Sequence, residues 1–326
     1  MKKLVIRKND ANQRIDKYLK KLLCQAPSNF IYKMIRNKDV KINGKKVNER
    51  YILQENDILE MFLYEDKFQE FTQEKDIFSL KKEFKVLYED HHVLIVDKPA
   101  GLLVHGDAHE SVNTLSNQVL SYLKEKGELE LDRTSTFMPG PVHRLDRNTS
   151  GIVIFGKTLQ AMQDLNEMMK KRHHIEKTYL TICHGCLKEN RELVGYIKKL
   201  ENEDRVQFVK KDDPQALYMK TIVEPMQWNN DFTLLQVKIV TGRMHQIRIH
   251  LSGISHPVIG DRKYGDFQLN RQLKQKFGLN HQLLHAYKIC FKDPFGSLSY
   301  LKGKEIICNV PKQFEQIEKS LFESVF

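Results

Sequence analysis

Long apolar segments are missing from this 326-residue sequence, although hydrophobic residues make up 40% of it. No apolar run approaches the ~20 residues that a membrane-spanning helix requires. The apolar stretch near the N-terminus is only Leu4, Val5 and Ile6, well short of the ~7–15 residues of a secretory signal core. The sequence therefore predicts a packed core, no membrane segment, no export and a cytoplasmic location.

Cysteine is also scarce. Five cysteines in a chain of this length do not make a disulfide framework. Cys183 and Cys186 form a CxxC pair, while Cys24, Cys290 and Cys308 stand apart. Because a zinc or redox site needs a second ligand pair or a thioredoxin-like context, we predict ordinary buried thiols and no metal site.

Acidic residues are under-represented at one end of the chain. Residues 1–50 contain 15 Lys and Arg but only 4 Asp and Glu, a surplus equal to the net charge of the whole chain, +11. The remaining residues are therefore balanced in charge. Positive charge concentrated in this way is typical of a nucleic-acid-binding appendage. A solvated basic face on an ordinary small domain is the alternative interpretation.

The first 62 residues have the pattern of a compact unit. "QRIDKYLKKLL" and "SNFIYKMIRNKDV" place apolar residues at helical spacing and basic residues on the other faces. Ser28 is predicted to cap the second helix. "VKINGKKV" predicts a hairpin with a type I′ turn at Asn43-Gly44, and "DILEMFL" supplies a closing strand.

Two short basic helices followed by this hairpin resemble the S4 RNA-binding domain, over about the first 65 residues. The resemblance implies a small α/β domain that grips structured RNA through its phosphates. Such contacts confer affinity and salt dependence rather than sequence choice. By this resemblance, the residues that contact RNA are Lys17, Lys33, Arg36, Lys38, Lys41 and Lys45.

The rest of the chain has two kinds of sequence pattern. Residues 63–84 are charged and weakly patterned, which predicts a linker or a short connecting helix. From residue 85, strands such as "HVLIVDKP" and "FTLLQVKIV" mix with amphipathic helices without a regular βαβ rhythm. We therefore predict an α+β fold with a mixed, largely antiparallel sheet, and the domain division 1–65, 66–84 (linker) and 85–326.

The loop "HRLDRNTSG" places a single carboxylate, Asp146, between Arg144 and Arg147 and just ahead of an apolar strand. Catalytic residues concentrate on loops held by rigid scaffolds. Two neighbouring cations favour the ionised carboxylate, which can serve as a nucleophile, a base or a metal ligand. The residue types alone are equally typical of a salt bridge that pins a turn.

Three further segments accompany this loop. "IVDKPAGLLVH" ends an apolar strand at Lys98, and "EKTYLTICHG" carries Tyr179 on a predicted strand. "VTGRMHQIRIHL" holds Arg243 and Arg248 across a predicted strand-to-helix junction. Taken singly, these are a strand end, a core tyrosine and a solvated basic turn.

Taken together, the segments resemble the RluA/RluC/RluD-type pseudouridine synthases over about residues 85–315. "HRLDRNTSG" matches the signature around the catalytic aspartate of that family, and "GDRKYG" (260–265) matches a further family block. Peripheral segments are most similar to the RluC branch. The resemblance implies isomerisation of uridine to pseudouridine in large-subunit (23S) ribosomal RNA, with no cofactor and no metal.

The same resemblance implies residue roles. Asp146, Tyr179 and Arg248 match the catalytic positions: the nucleophile or acid-base centre, the tyrosine against the flipped uracil, and the arginine that pairs with the aspartate. Arg144 matches the position that enters the space left by the flipped base. We therefore expect Arg144, Lys98 and Arg243 to contact RNA.

Other functions stay open. The substrate could be tRNA, or the chain could be a non-catalytic S4-type RNA-binding or ribosome-assembly factor. A nucleoside hydrolase would need a second carboxylate or a metal to activate water. Asp97 and Asp261 lie in other motifs, and nothing in the sequence pairs either with Asp146. Nothing demands an oligomer either, so we expect a monomer.

Overall fold

The computed structural model describes residues 1–72, 79–129, 136–200 and 205–322. Contacts within the chain divide it into two units, each built from separate segments. The predicted division at about residues 65 and 84 stays a prediction. The smaller unit comprises Met1–Lys82, Ser116–Gly140 and Gly156–Gln163, and the larger comprises Glu83–Leu115, Pro141–Phe155 and Asp164–Phe326.

The N-terminal segment folds as a four-stranded antiparallel sheet with helices packed against it. Its strands are ordered β1-β4-β2-β3. Alternating burial along β4 and helical spacing of apolar residues in α1 and α2 direct one face of each element inward. The elements are β1 (Lys2–Val5), α1 (Ile15–Leu22), α2 (Ser28–Arg36), β2 (Val40–Ile42), β3 (Lys45–Lys46), β4 (Ile58–Met61) and α3 (Glu65–Phe71).

The two helices and the hairpin predicted from the sequence are confirmed. Asn43 and Gly44 have φ of 50° and 75°, the left-handed pair that a type I′ turn requires. The prediction of Ser28 as an N-cap is wrong. Ser28 is already helical, and Pro27 occupies the cap position without a side-chain hydrogen bond.

Helix α3 occupies part of the segment predicted as a linker or a short connecting helix. Phe68 and Phe71 of this helix are buried in the same apolar cluster as Tyr18, Leu19 and Ile31. The chain therefore continues to pack against the N-terminal core as far as residue 71. Residues 73–78 of the same segment lie outside the described residues.

The second sheet contains eleven strands among the described residues. Nine run in the order β11-β10-β12-β13-β9-β14-β8-β6-β5, while β15 pairs with β14 and β7 pairs with β8. The strands are β5 (Lys85–Glu89), β6 (Val93–Lys98), β7 (Gly140–Pro141), β8 (Ser150–Gly156), β9 (Ile175–His184), β10 (Arg191–Lys199), β11 (Val206–Phe208), β12 (Leu217–Trp228), β13 (Phe232–Ile239), β14 (Leu284–Phe291) and β15 (Glu305–Ile307).

The predicted α+β class and largely antiparallel sheet are confirmed. Neighbours from β11 to β14 pair antiparallel, whereas β14 and β8 pair parallel. Across the part of the chain that the structure describes, no helix is both long and apolar enough to span a bilayer. The remaining helices are α4 (Leu115–Glu125), α5 (Leu159–Lys171), α6 (Gln246–Gly253), α7 (Phe267–Phe277) and α8 (Lys312–Phe322).

The sheet fixes the elements that carry the sequence motifs. All seven residues of β8 are buried, so the strand that follows Asp146 is a rigid anchor. Tyr179 lies on β9, opposite Val237 of β13. The chain then passes from β13 into α6, which carries Arg248. This confirms the predicted strand-to-helix junction.

Candidate active site

Asp146 lies in the Asp loop, which we define as residues 142–149 between β7 and β8. The amide of Thr149 donates to the carbonyl oxygen of Asp146 at 3.0 Å. The next carbonyl, that of Arg147, accepts from the Gly101 amide at 3.0 Å and from the Lys98 ammonium at 2.9 Å. The backbone on both sides of the carboxylate is therefore held in place.

His143 fastens the start of the Asp loop to the sheet. Its Nε2 accepts a hydrogen bond from the amide of Ile154 at 3.2 Å, which requires that nitrogen to be unprotonated. Burial, together with the charge of Lys177, lowers the pKa of His143 to about 3. This histidine is therefore neutral near pH 7 and has a positioning role.

Arg248 holds two carboxylates at once. Its Nε and Nη2 donate to Asp261 at 2.6 and 2.9 Å, and its Nη1 donates to Asp146 at 2.8 Å. Burial disfavours the cation, but the two carboxylates outweigh burial and raise the pKa of Arg248 above its ordinary value. A permanent, forked cation therefore orients the carboxylate of Asp146.

Tyr264 and His245 complete the wall around this ion pair. The guanidinium of Arg248 lies 5.3 Å from the centre of the Tyr264 ring, within the range of a cation–π contact. The Tyr264 hydroxyl lies 2.9 Å from Nδ1 of His245, whose Nε2 is 3.9 Å from Asp146. His245 has φ of 53°, a conformation that non-glycine residues rarely adopt and that strains the backbone at the start of α6.

Tyr179 lies in the same cleft and is 6% exposed. Burial and the negative charge of Asp146 raise its pKa above the ordinary value of 10.0. The side chain is therefore a neutral phenol near pH 7. It offers a ring for stacking and a hydroxyl that can donate a proton. Because the hydroxyl is protonated, it cannot act first as a base.

The cleft in front of Asp146 has a volume of about 1340 Å³. It belongs to the larger unit, and the Asp loop forms one of its walls. Arg144 is exposed at this wall, and Arg243 is half-buried with its Nε donating to the Tyr218 carbonyl at 3.0 Å. Other cations along the cleft are Lys170, Arg172, Lys177, Arg262 and Lys263.

The prediction that Lys98 contacts RNA is corrected. Its side chain is fully buried, and its ammonium donates to the carbonyls of Pro99, Leu102 and Arg147 at 2.8 to 2.9 Å. When Lys98 is protonated, all three ammonium protons are thereby used within the protein; burial lowers its pKa to about 7. Lys98 therefore braces the turn after β6 against the Asp loop.

The N-terminal residues predicted to bind RNA are available for contact. Lys17, Lys33, Arg36, Lys38 and Lys45 are exposed, and Lys41 is half-buried with its ammonium 5.0 Å from the centre of the Phe62 ring. In the described part of the chain, none of the six forms an ion pair within 4.0 Å. Their role in RNA binding stays a prediction.

The cysteines differ partly from expectation. Cys183, Cys290 and Cys308 are buried, but Cys24 is exposed and Cys186 is half-buried. Burial raises the pKa of Cys183 to about 12, so its thiolate is scarce near pH 7. Among the described residues, no three His, Cys, Asp or Glu side chains form a group that could hold a metal ion.

Sequence reasoning missed Asp261 and Tyr264. Both come from "GDRKYG", a block that matched the family without a role for either residue. Asp261 is completely buried and shares Arg248 with Asp146, a pairing that the sequence did not reveal. The sequence signal was the block itself, and the structure explains its first glycine: Gly260 has φ of 76°, and an added Cβ would lie 2.2 Å from the His281 carbonyl oxygen.

The fold and the site together define a class of enzyme. Residues 92–253 match the RNA pseudouridylate synthase family, and residues 13–59 match the S4 domain. An uncharacterized RNA pseudouridine synthase of Mycoplasma capricolum is 34% identical over 312 residues, which cover 95% of this chain and 98% of that protein. The chain belongs to the RNA pseudouridine synthases, which are isomerases, and carries an N-terminal S4 domain.

Other relatives agree with this assignment. Ribosomal large subunit pseudouridine synthase C of Pasteurella multocida is 32% identical over 90% of this chain and 87% of its own length. The solved structure of human RNA pseudouridylate synthase domain containing 4 covers 71% of this chain and 90% of its own, with a TM-score of 0.54 at 22% identity. The resemblance inferred from the sequence motifs is therefore confirmed.

Proposed function

We propose that this protein isomerises specific uridines of large-subunit ribosomal RNA to pseudouridine, with Asp146 as the catalytic residue. The observation that carries the proposal is the cleft-lining carboxylate of Asp146, bonded to the buried Arg248 at 2.8 Å. The other carboxylate in the described lining, Asp107, is paired with Arg147 at 3.0 Å instead. Relatives named ribosomal large subunit pseudouridine synthase C, such as those of Pasteurella multocida and Haemophilus influenzae, support the choice of RNA.

The reaction breaks the bond between the ribose C1′ and N1 of uracil and forms a bond from C1′ to C5. The C5 hydrogen leaves as a proton, and N1 gains a proton, so the product is an isomer of the substrate. Asp146 can act on the sugar or the base because Arg248 donates a hydrogen bond to its carboxylate and aims it. Tyr179 can stack on the detached uracil and donate a proton.

A uridine must leave its base stack to reach Asp146, at a cost of roughly a few kcal/mol. The cleft, at about 1340 Å³, exceeds the range of roughly 300–1,000 Å³ for small-ligand pockets and has room for a nucleotide with its neighbours. Arg144 is exposed beside Asp146 and can fill the vacated position, because a guanidinium stacks on bases.

The N-terminal basic residues supply affinity for structured RNA in this proposal. Lys33, Arg36 and their exposed neighbours can neutralise phosphates of the RNA. We further propose that the protein acts as a monomer, because every residue assigned to the chemistry comes from one chain. The cytoplasm, where ribosomal RNA would be met, is its proposed location.

Tritium release from RNA labelled at uridine C5 tests the proposal. Unmodified large-subunit ribosomal RNA would be incubated with wild-type protein and with Asp146→Asn, which keeps the shape of the side chain. Release by the wild type alone, followed by mapping of the modified uridines, is the expected result. Asp213→Asn, which alters a half-buried carboxylate paired with Lys198 outside the cleft lining, should release tritium at the wild-type rate.

Each other outcome points to an alternative. Release from tRNA but not from ribosomal RNA would overturn the choice of substrate while keeping the reaction. Free uracil without pseudouridine would indicate a hydrolase, for which Asp107 is the second carboxylate among the described residues that line the cleft. Equal release by Asp146→Asn and wild type would remove Asp146 from the chemistry.

A further inference from the structure

Three cations lie along one part of the cleft and come from three different elements. Arg172 directly follows α5 and has φ of 67°. Lys177 lies on β9, two residues before Tyr179 and so on the same face of the strand. Arg243 lies in the loop between β13 and α6. All three line the cleft in front of Asp146.

Contacts and electrostatics place these cations close to one another. The ammonium of Lys177 lies 3.8 Å from the sulfur of Met169 and 4.0 Å from the position of a Cβ on Gly242, the residue before Arg243. Burial and the charge of Arg172 lower the pKa of Lys177 to about 8. The same two causes lower the pKa of Arg243.

No carboxylate of the described residues compensates this cluster. Within that part of the chain, neither Arg172, Lys177 nor Arg243 forms an ion pair within 4.0 Å. Lysines on other strands of the same sheet do pair with acids: Lys198 with Asp213, Lys220 with Glu192 and Lys238 with Glu224.

Holding like charges together at a partly buried site costs free energy. An anion bound among the three cations would offset that cost. Arginine forks match the oxygens of a phosphate, and a lysine adds a point charge.

We propose that Arg172, Lys177 and Arg243 form a subsite for the phosphodiester that adjoins the target uridine. The inference rests on the proposed function, because it takes the uridine to be bound at Asp146 and Tyr179. Positions two residues apart on a strand are separated by about 7 Å, which is comparable to the distance between the base of a nucleotide and its own phosphate. With the uracil against Tyr179, an adjoining phosphate therefore reaches Lys177.

The first experiment changes the RNA and leaves the protein intact. A short RNA around the mapped uridine would carry one uncharged methylphosphonate linkage, placed in turn at each phosphate on either side of that uridine. At one of the adjoining linkages we expect the wild-type KM to rise about 10-fold or more, the factor that corresponds to a charge-assisted hydrogen bond of ~1.5–3 kcal/mol. Neutral linkages farther away should have smaller effects.

The second experiment combines the RNA with protein variants. On RNA that contains only phosphate linkages, Lys177→Met and Arg172→Gln should each raise KM by about as much as the sensitive methylphosphonate does for the wild type. Placing the methylphosphonate at that linkage should then cause no further rise in KM for these variants. Lys177→Arg keeps the charge and should retain the sensitivity. Lys188→Met and Arg191→Gln remove the same kinds of charge from exposed positions outside the cleft and serve as matched controls.

The subsite would be overturned if the methylphosphonate raised KM equally in the wild type and in both subsite variants. It would also be overturned if no position of the methylphosphonate raised KM. Fluorescence anisotropy would measure the equilibrium affinity for the same RNAs, so the contribution of the subsite to binding can be determined even without turnover. Pseudouridine formation with no sensitive linkage would sink the subsite alone. Absence of pseudouridine with wild-type protein would sink the proposed function, and the anisotropy series would then decide the subsite separately.

Discussion

Arg248 and Asp261 are joined by two parallel hydrogen bonds, of 2.6 and 2.9 Å, in a site where both side chains are almost fully buried. This fork leaves one guanidinium nitrogen, Nη1, for Asp146. Asp261 also accepts from the amides of Lys263 and Tyr264. Asp261 therefore fixes the direction in which Arg248 presents its charge to Asp146.

Asp261→Asn should lower kcat about 100-fold while KM for RNA stays within about 2-fold. An amide can accept only one of the two guanidinium bonds and turns its NH₂ group toward the cation. Arg248 would then shift, and displacements of about 1 Å can cost 10²-fold in rate. Single-turnover kinetics on a mapped RNA would measure the effect. A KM effect without a kcat effect would contradict the positioning role.

The matched control is Asp213→Asn, which removes the same charge from a half-buried ion pair with Lys198 outside the cleft. It should leave both kcat and the thermal midpoint unchanged, because surface pairs contribute only ~0–1 kcal/mol. Breaking the buried pair at Asp261 should also destabilise the fold by about 3–5 kcal/mol. Kinetics would therefore be measured well below the melting transition of the variant.

Lys98→Met should destabilise the protein by about 3 kcal/mol, measured by urea unfolding. The methionine fills a similar volume but leaves the carbonyls of Pro99 and Leu102 without the ammonium, and unsatisfied buried groups cost ~1–3 kcal/mol each. The Arg147 carbonyl loses the ammonium but keeps the Gly101 amide. Because Arg147 follows Asp146, kcat should fall as well. Lys302→Met, with an exposed side chain, should change neither quantity. An unchanged unfolding free energy for Lys98→Met would refute the bracing role.

Local patterns predicted the elements whose cause is local. The spacing of Ile15, Leu19 and Leu22 dictates which face of α1 is buried, and Asn43-Gly44 dictates its turn because both residues tolerate positive φ. Cap positions are less determined. A serine suits the cap position and a proline the first helical position, but in α2 Pro27 is at the cap and Ser28 is the first helical residue.

Long-range packing decided the features that the sequence did not reveal. Lys98 follows an apolar strand and could as well have been exposed. Its burial follows from the Asp loop, whose Arg147 carbonyl lies 49 positions away in the chain. Likewise, Asp261 and Asp146 lie on separate loops and are linked through the guanidinium of Arg248, which donates to both. The family resemblance supplied the pairing of Asp146 with Arg248, which spacing alone could not.

Removing basic residues from α2 should flatten the salt dependence of RNA binding. The double variant Lys33→Gln, Arg36→Gln should reduce the slope of log K against log [salt] by roughly 0.7–0.9 for each phosphate that the variant no longer neutralises. Lys2→Gln, Lys67→Gln is a matched double change, since these lysines are paired with Glu65 and Glu70. Filter binding at several salt concentrations would measure both slopes, and equal slopes would refute the proposed role of α2.

Substitutions are preferable here to deletion of the N-terminal residues. The carboxylate of Asp10 accepts from the amide and the hydroxyl of Thr136 at 2.6 and 2.7 Å, and Gln13 donates to the same hydroxyl at 3.2 Å. Residues 1–65 therefore share buried hydrogen bonds with a later segment of the smaller unit. A truncation would leave Thr136 unpaired and confuse weaker binding with lower stability.

RNA affinity should fall as the pH rises from 7 to 8.5. The pKa of Lys177, lowered by burial and by Arg172 to about 8, means that the cation is present below pH 8 and is lost above it. His143 stays neutral in this range because its pKa is lowered to about 3. Burial also lowers the pKa of Lys98 to about 7, but that side chain is fully buried and remains in the Lys177 variant. Lys177→Arg should make the KM profile flat, since a guanidinium does not titrate there. Parallel profiles for the variant and the wild type would exclude Lys177 as the titrating contact.

Gly151→Ala should prevent folding or destabilise the protein by more than about 3 kcal/mol. Gly151 lies five residues after Asp146, where β8 pairs with β14, and has φ of 107°. A Cβ at this position would lie 2.3 Å from the Ala286 carbonyl oxygen, so the two strands would have to separate. Gly303→Ala is the matched control: Gly303 also has a positive φ, 75°, but an added Cβ meets nothing within 4 Å, so only the conformational cost of roughly 1–2 kcal/mol remains. Thermal melts of both variants would measure the difference. Equal melting temperatures would show that β8 and β14 can move apart without cost, and the Asp loop would then lack the rigid anchor that positions Asp146.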